Sequence, residues 1–143
     1  APLNLRSIDG AVGTYVMSEN ACPIRVLVVD DHALMRKQIL DLLRFHSDIL
    51  VIGEAEDGEE ALRQCAELAP AVIVMDINMP KLNGIEATRL IKKTYPKIIV
   101  IGLSVTTGRQ IENLMKEAGS HAVFQKENAV EQLPKAIRQY AMT

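Results

Sequence analysis

Residues 71–80 read AVIVMDINMP, and this stretch decides the fold of the chain. Apolar residues, most of them β-branched, lead directly to Asp76, and Pro80 follows shortly after. A short, continuous apolar run of this kind predicts a buried strand of a parallel sheet. Open α/β sheets bind their ligands at the carboxyl ends of the strands, so we expect Asp76 to face a cleft there. Taken alone, the stretch fits equally well a turn that Asp76 opens ahead of Pro80.

The composition is that of one ordinary globular domain. The chain has 143 residues, of which 48% are hydrophobic and 24% charged, so it can bury a substantial core and does not belong to the disordered class. A net charge of -2 gives no electrostatic reason to expect nucleic-acid binding. The sequence has no apolar segment of about 18 residues that could cross a bilayer, and no secretory signal pattern. We therefore expect a cytoplasmic protein without a membrane partner.

The cysteines and histidines form no recognisable metal-binding motif. Cys22 and Cys65 belong to no CxxC pair, and two reduced thiols are favoured over a disulfide. The spacing of His32, His46 and His121 is not that of metal ligands, which argues against a zinc site.

In residues 1–23 the apolar residues show neither helical nor strand spacing over any sustained length, which indicates a tail or linker. Because Met17 is followed by Ser18, the native chain could start at Met17, with residues 1–16 added during cloning. The alternative is a natural linker from an upstream domain. We therefore place the folded domain at residues 24–143.

Strands and helices alternate after the tail. Apolar runs predict strands at residues 24–29, 50–55, 71–76, 97–103 and 121–125. Helical spacing of apolar residues predicts helices up to about residue 45, between 58 and 69, over about 85–93, up to 118 and in the last segment. This alternation requires right-handed crossovers and a parallel sheet covered on both faces. We expect an α/β fold of the flavodoxin-like type, a doubly wound sheet with strand order 2-1-3-4-5 and five helices.

The start of the last helix depends on how Pro134 is accommodated. Asn128 with Glu131 three residues on is compatible with a capping box. Pro134 conflicts with a helix that passes through it, because an internal proline removes one hydrogen bond and clashes with the preceding turn, at a cost of roughly 3 kcal/mol. The helix could kink there, but a start at Pro134 is favoured, since proline suits the first helical position.

Three carboxylates converge in this topology. Asp30 and Asp31 follow the first strand and Asp76 ends the third, and the switch point of the sheet lies between these two strands. Like charges at close range repel one another, so such a cluster persists mainly when a cation neutralises it. With oxygen ligands only, the expected cation is Mg²⁺. The alternative for the acidic pair is that Asp30 or Asp31 caps the following helix.

Ser104 ends the fourth strand and Lys126 follows the fifth, so a hydroxyl and a cation join the same edge of the sheet. Together with Mg²⁺ they form a site for phosphoryl oxygens, since phosphoryl transfer depends on positioning and charge neutralisation. Asp76 would then be the nucleophile that forms an aspartyl phosphate. Alone, Ser104 could be an ordinary strand-end cap and Lys126 a solvated surface charge.

At this point the sequence resembles the receiver domain of two-component response regulators. The motifs that carry the resemblance are residues 28–32, residues 75–80 with Gly84, Ser104 and Lys126, and the resemblance extends over about residues 24–140. It implies the CheY-like variant of the flavodoxin-like fold. The acidic pair followed by histidine is most similar to the subclass that precedes a helix-turn-helix (LuxR-type) output domain. The residues after Lys126 suffice for the last helix only, so we expect no such domain within them.

The resemblance implies that Asp76 accepts a phosphoryl group from a phosphohistidine on a sensor histidine kinase or a histidine phosphotransfer protein. Ser104 and Lys126 would contact the phosphoryl group. The implied Mg²⁺ ligands are the carboxylates of Asp31 and Asp76 and the backbone carbonyl of Asn78, with Asp30 acting through water.

The resemblance also implies an output surface made of the fourth helix, fifth strand and fifth helix, at about residues 108–118, 121–125 and 134–140. Phosphorylation would change the affinity of this surface for a partner, an output domain or a second copy of the chain. Transcription regulation by a longer protein is the implied biological role, without nucleic-acid binding by this domain itself.

Three positions depart from the usual pattern of the family. Val105 stands where a smaller residue is common, which would narrow access to the aspartyl phosphate. Val123 stands where an aromatic residue commonly moves with the switch hydroxyl, and Phe124 cannot replace it because it falls on the opposite face of the strand. Glu127 replaces a common proline. All three changes are compatible with phosphorylation of Asp76. How the output surface responds to phosphorylation does not follow from this chemistry.

Two other functions compete with a phosphorylation switch. A phosphohydrolase that forms an aspartyl phosphate would need a second acid two residues after Asp76, where Asn78 cannot supply a proton. A receiver-like binding module that is never phosphorylated would not need the complete set of polar residues. Both hypotheses are therefore less favoured than the switch.

Overall fold

A computed structural model describes residues 22–79, 82–105 and 108–142. Nearly all of the predicted tail, including Met17 as the proposed start of the native chain, lies outside these residues. Strands and helices alternate along the chain: β1 (Ile24–Val29), α1 (Ala33–Arg44), β2 (Ile49–Ala55), α2 (Gly58–Leu68), β3 (Val72–Asp76), α3 (Gly84–Thr94), β4 (Ile99–Ser104), α4 (Arg109–Ala118), β5 (Ala122–Gln125) and α5 (Ala129–Ala141). A short 3₁₀ helix (Lys126–Asn128) connects β5 to α5.

The five strands form one parallel sheet in the order β2-β1-β3-β4-β5, as predicted. In β1 and β3, successive side chains enter opposite core clusters, so both faces of each strand are buried. Helices α1 and α5 cover one face, and α2, α3 and α4 cover the other. This double cover explains why the central strands read as continuous apolar runs rather than as alternating ones.

The predicted strand limits are correct to within two residues. The largest difference is at β4, which begins at Ile99 rather than Lys97. Residues 96–98 form a turn instead, in which the N–H of Ile98 donates to the carbonyl of Tyr95 at 3.1 Å.

The predicted start of the last helix at Pro134 is wrong. Helix α5 begins at Ala129 and runs through Pro134 to Ala141. Its apolar face at Ala129, Leu133 and Ile137 is buried against the sheet. Burial of this face outweighs the hydrogen bond that the proline removes, because each large buried side chain contributes about 1.5–3 kcal/mol.

The predicted capping box at Asn128 is also wrong. Asn128 has αR backbone angles and its side chain makes no cap hydrogen bond, because the 3₁₀ helix leads directly into α5. The Asn128 amide instead lies 3.5 Å from the Gln125 side-chain oxygen. Helix continuity therefore replaces the capping interaction that the spacing suggested.

The cysteine prediction is confirmed, since Cys22 and Cys65 are both free thiols. Cys65 is buried in α2, and burial raises the pKa of its thiol to about 11. Among the described residues, no helix is both long and apolar enough to cross a membrane.

Candidate functional site

The ends of β1 and β3 bring the acidic residues together. Val29 of β1 pairs with Met75 of β3, so the next residues, Asp30 and Asp76, follow at the same level of adjacent strands. Both side chains are fully buried. A carboxylate oxygen from each of Asp30, Asp31 and Asp76 and one ring nitrogen of His32 all lie within 4.8 Å of one another. The predicted carboxylate cluster is thus present at the carboxyl edge of the sheet.

Neither aspartate of the pair is the N-cap residue of α1, which is His32. The Asp30 carboxylate instead accepts a hydrogen bond of 2.8 Å from the backbone N–H of His32. The acidic pair is therefore directed into the cluster, and the alternative that one of these residues caps the helix is wrong.

Lys126 is the cation of the site. It stands directly after β5, and its ammonium lies 3.0 Å from Asp76 Oδ1 and 3.2 Å from Asp30 Oδ2. Only 9% of its side chain is exposed, so the reading of Lys126 as a solvated surface charge is wrong. A buried ammonium between two buried carboxylates is a charge-assisted contact of the strong kind.

The electrostatics of Asp76 reflect a surplus of negative charge. Burial and the neighbouring charge of Asp30 raise the pKa of Asp76 to about 6, although Lys126 acts in the opposite direction. Burial alone would lower the pKa of Lys126, but its contacts with Asp76 and Asp30 raise it. One lysine therefore does not compensate the carboxylates, and a further cation would lower the pKa of Asp76 again.

The cluster also holds carboxylate oxygens that the protein satisfies incompletely. Among the described residues, Asp76 Oδ2 is buried without a hydrogen-bond partner, while Asp30 Oδ2 and Asp31 Oδ1 have ionic contacts with Lys126 and His32 but no hydrogen bond of good geometry. Unsatisfied buried carboxylate oxygens are costly unless a cation binds them. The residues present therefore fit a hard, oxygen-binding cation such as Mg²⁺.

The segment after β3 folds back over the cluster. Asp76 Oδ1 accepts a hydrogen bond of 3.1 Å from the backbone N–H of Asn78, so Asp76 does open a turn as well as ending a strand. Asn78 and Asp31 line the same cleft, whose volume is about 350 Å³. Apolar side chains of Ile77, Ile85 and Ile111 form much of the remaining wall. The site is thus open to solvent beside the cluster while Asp76 itself is buried.

Ser104 lies on the neighbouring strand. Asp76 pairs with Leu103 of β4, so Ser104 is one residue beyond it at the same edge, and it is 1% exposed. Ser104 in turn pairs with Gln125, the residue before Lys126. Val105, the next residue along the chain, is 64% exposed, and its effect on access to Asp76 stays a prediction.

Sequence reasoning missed the contacts that Arg36 and His32 make with the acidic pair. The guanidinium of Arg36 donates to the Asp30 carbonyl at 2.6 Å and to the Glu54 carboxylate at 2.9 Å, and its side chain is 14% exposed. The ring of His32 faces Asp31, with 3.1 Å between Nδ1 and Oδ1. The position of Arg36 one helical turn after His32, which directly follows the acidic pair, was the available signal for its contact.

Gly84 contacts the backbone at the end of β3, around Asp76 and Ile77. A Cβ atom built at this position would lie 2.2 Å from the carbonyl oxygen of Asp76 and 2.7 Å from the Cα of Ile77. The N–H of Gly84 donates to the Ile77 carbonyl at 3.1 Å. The backbone that carries Asp76 therefore rests directly on Gly84, the first residue of α3.

Known proteins resemble the chain in both sequence and structure. It is 38% identical over 115 residues to the response regulator GacA of Pseudomonas protegens, which covers 80% of this chain and 54% of that protein. The response regulator domain of Thermotoga maritima CheB superposes with a TM-score of 0.79 at 38% identity, over 85% of this chain and 98% of that one. A LuxR-family response regulator from Aurantimonas gives a TM-score of 0.80 at 29% identity, over 84% and 86% of the two chains.

The chain spans about half the length of the regulator GacA, 54%, so the match concerns one part of that protein. The relatives that are LuxR-family regulators agree with the predicted subclass. The model of the response regulator receiver domain matches residues 26–138. The chain therefore belongs to the response regulator receiver family, whose domains act in phosphorylation-driven two-component signalling.

Proposed function

We propose that Asp76 is the phosphoacceptor of this receiver domain, and that it takes its phosphoryl group from a phosphohistidine on a sensor histidine kinase or histidine phosphotransfer protein. One observation carries the proposal. The buried Asp76 carboxylate has one oxygen held 3.0 Å from the Lys126 ammonium, while its other oxygen has no hydrogen-bond partner among the described residues. One oxygen is thus oriented, and the other is available for bond formation.

The transfer step is a displacement at phosphorus. A carboxylate oxygen of Asp76 forms the new P–O bond while the P–N bond to the donor imidazole breaks, and the imidazole leaves with the bonding electron pair and is then protonated. Lys126 holds the Asp76 side chain in place and offers positive charge to the phosphoryl oxygens. Since the reaction consists largely of positioning and charge neutralisation, this orientation is the main contribution of the protein.

The carboxylates of Asp30, Asp31 and Asp76 and the backbone carbonyl of Asn78 would hold Mg²⁺. When bound, Mg²⁺ supplies positive charge that keeps Asp76 ionised and neutralises phosphoryl oxygens. Arg36 fixes the backbone at Asp30, so that the acidic pair is directed into the pocket. Burial of Asp76 then limits access of water to the product.

The proposed response to phosphorylation involves the elements that carry Ser104 and Lys126. Ser104 and Lys126 lie at the ends of β4 and β5, and would turn towards the added phosphoryl oxygens. Lys126 also begins the 3₁₀ helix that continues into α5. We propose that the surface of α4, β5 and α5 thereby changes its affinity for an output domain or for a second copy of the chain. Transcription regulation in the cytoplasm, by a longer protein, is the corresponding biological role, and the two free cysteines agree with a reducing compartment.

Intact mass spectrometry with a small phosphodonor tests the assignment of Asp76. The chain is incubated with acetyl phosphate, with and without Mg²⁺, alongside Asp76→Asn and the matched surface variant Asp41→Asn. Asp41 lies on the exposed side of α1, paired with Lys37. We expect a gain of one phosphoryl group, about 80 Da, in the native chain and in Asp41→Asn when Mg²⁺ is present.

The same gain should be absent in Asp76→Asn and in the metal-free sample. A gain that persists in Asp76→Asn would place the acceptor elsewhere. No gain under any condition would leave a receiver-shaped binding module as the better account. Turnover of a phosphate monoester without a partner protein would instead favour a phosphohydrolase.

A further inference from the structure

His32 has no role in the function proposed above, although its ring lies within the acidic cluster. Its Nδ1 atom is 3.1 Å from Asp31 Oδ1 and 3.6 Å from Asp30 Oδ1. A ring nitrogen of His32 is also within 4.8 Å of a carboxylate oxygen of Asp76. An imidazole nitrogen therefore stands among the oxygens that face the pocket.

These separations are those of ligands around one ion. With bonds of about 2.1 Å, neighbouring ligands of an octahedral ion are about 3.0 Å apart and opposite ligands about 4.2 Å. The 3.1 Å between His32 Nδ1 and Asp31 Oδ1 is the distance of neighbouring ligands. Because the four ligand atoms of the cluster all lie within 4.8 Å of one another, small side-chain rotations would bring the rest to ligand distances. The backbone of His32 is fixed, because its N–H binds Asp30 and α1 begins at the next residue.

A histidine–aspartate ion pair alone does not account for the pocket. Among the described residues, Asp76 Oδ2 is buried without a hydrogen-bond partner, and the Asp76 side chain is 0% exposed. Pairing of His32 with Asp31 would leave this oxygen unsatisfied. A cation that contacts all of these groups satisfies them together.

We propose that His32 supplies Nδ1 as a nitrogen ligand in this pocket, which therefore binds first-row transition ions such as Co²⁺ more tightly than Mg²⁺. The inference rests on the metal site of the proposed function. Imidazole is a favourable ligand for transition ions, whereas Mg²⁺ prefers oxygen and keeps its waters. Since 65% of the His32 side chain is exposed, the ring can turn outwards and leave the carboxylates to bind Mg²⁺ alone.

Titration calorimetry with Co²⁺ and with Mg²⁺ tests this inference on the native chain, His32→Gln and the control His46→Gln. His46 lies beyond α1, where its ring contacts Arg138 instead of the acidic cluster. We expect His32→Gln to weaken Co²⁺ binding about tenfold or more, as for the loss of a group that supports a metal ligand, and to change Mg²⁺ binding less than about twofold. His46→Gln should bind both ions as the native chain does.

Proton NMR of the Co²⁺-loaded protein gives a second measurement. A coordinated imidazole shows a strongly shifted, exchangeable N–H resonance, which should be present in the native chain and in His46→Gln, absent in His32→Gln, and displaced by excess Mg²⁺. Equal Co²⁺ affinity in the native chain and His32→Gln, or a shifted resonance that survives this substitution, would overturn the inference. If Mg²⁺ binds and Asp76 is phosphorylated in either case, the proposed function stands and only the role of His32 is refuted. If neither ion binds, both proposals fail.

Discussion

Replacement of Gly84 by alanine should impair phosphorylation of Asp76 without unfolding the protein. The new Cβ would lie 2.2 Å from the Asp76 carbonyl oxygen, about 1 Å inside the normal contact distance. All three nearest atoms belong to the backbone of Asp76 and Ile77, so no flexible side chain can give way. The segment that carries Asp76 therefore has to move by about 1 Å, and a displacement of this size can reduce a rate by about 100-fold.

We expect Gly84→Ala to change the free energy of unfolding by less than the energy that corresponds to the reduced rate of phosphorylation. Overpacking costs about 1–3 kcal/mol, and the better helix propensity of alanine returns up to about 1 kcal/mol. Gly53→Ala is the matched control, because its Cβ would meet the ends of the flexible Gln64 and Leu68 side chains.

Phosphorylation kinetics by intact mass, together with urea unfolding, separate the two effects. We expect phosphorylation to be slower by about 10- to 100-fold in Gly84→Ala and unchanged in Gly53→Ala. A native rate in a stably folded Gly84→Ala protein would refute the idea that this close approach positions Asp76.

Three further predictions concern the charges of the site. In the metal-free protein, Asp76→Asn should raise the unfolding free energy by on the order of 2 kcal/mol above about pH 7 and very little near about pH 4, measured by urea unfolding. The sign follows because the folded-state pKa of Asp76, about 6, exceeds the unfolded value of 3.8, so stability from its protonation is lost as the pH rises through 6. Lys126→Met should raise this pKa further and move the pH profile of phosphorylation upwards, whereas Lys37→Met on the exposed face of α1 should not. Arg36→Gln should weaken Mg²⁺ binding about tenfold in calorimetry, because it frees the Asp30 carbonyl.

Most of the fold could be predicted because its determinants are local. The apolar runs at β1, β3 and β4 are continuous, and such runs alternating with helical periods allow few arrangements besides a parallel sheet. The start of α5 could not be predicted in this way. Local chemistry at Pro134 favours a helix start, and only burial of Leu133 and Ile137 against the sheet reverses that preference.

The site was predictable to the extent that strand ends determine it. Asp30, Asp76 and Lys126 follow directly from the carboxyl ends of strands, and the structure places the Lys126 ammonium 3.0 Å from Asp76 and 3.2 Å from Asp30. The contacts of His32 and Arg36 depend instead on how α1 starts and which way its first turn faces. These features are set by tertiary packing and are not visible in the spacing of residues.

Under the proposed function, the charge of the pocket accounts for how one covalent change on Asp76 would act as a switch. When ionised, Asp30, Asp31 and Asp76 together with Lys126 carry a formal charge of minus two, which one divalent cation balances. A phosphoryl group on Asp76 replaces a singly charged carboxylate by a group with about -1.5 to -2 charge, so the balance is lost again.

Lys126 is the donor best placed to respond, since its ammonium already contacts Asp76. Its backbone joins β5 to α5, so any shift of Lys126 towards new oxygens acts on both elements at once. The route to α4 differs, because Val123 and Met115 share an apolar cluster and both face Gly102 of β4. An apolar contact transmits a displacement only where the side chains are closely packed, so in the proposed output the response of α4 would depend on the packing of Val123 against Met115.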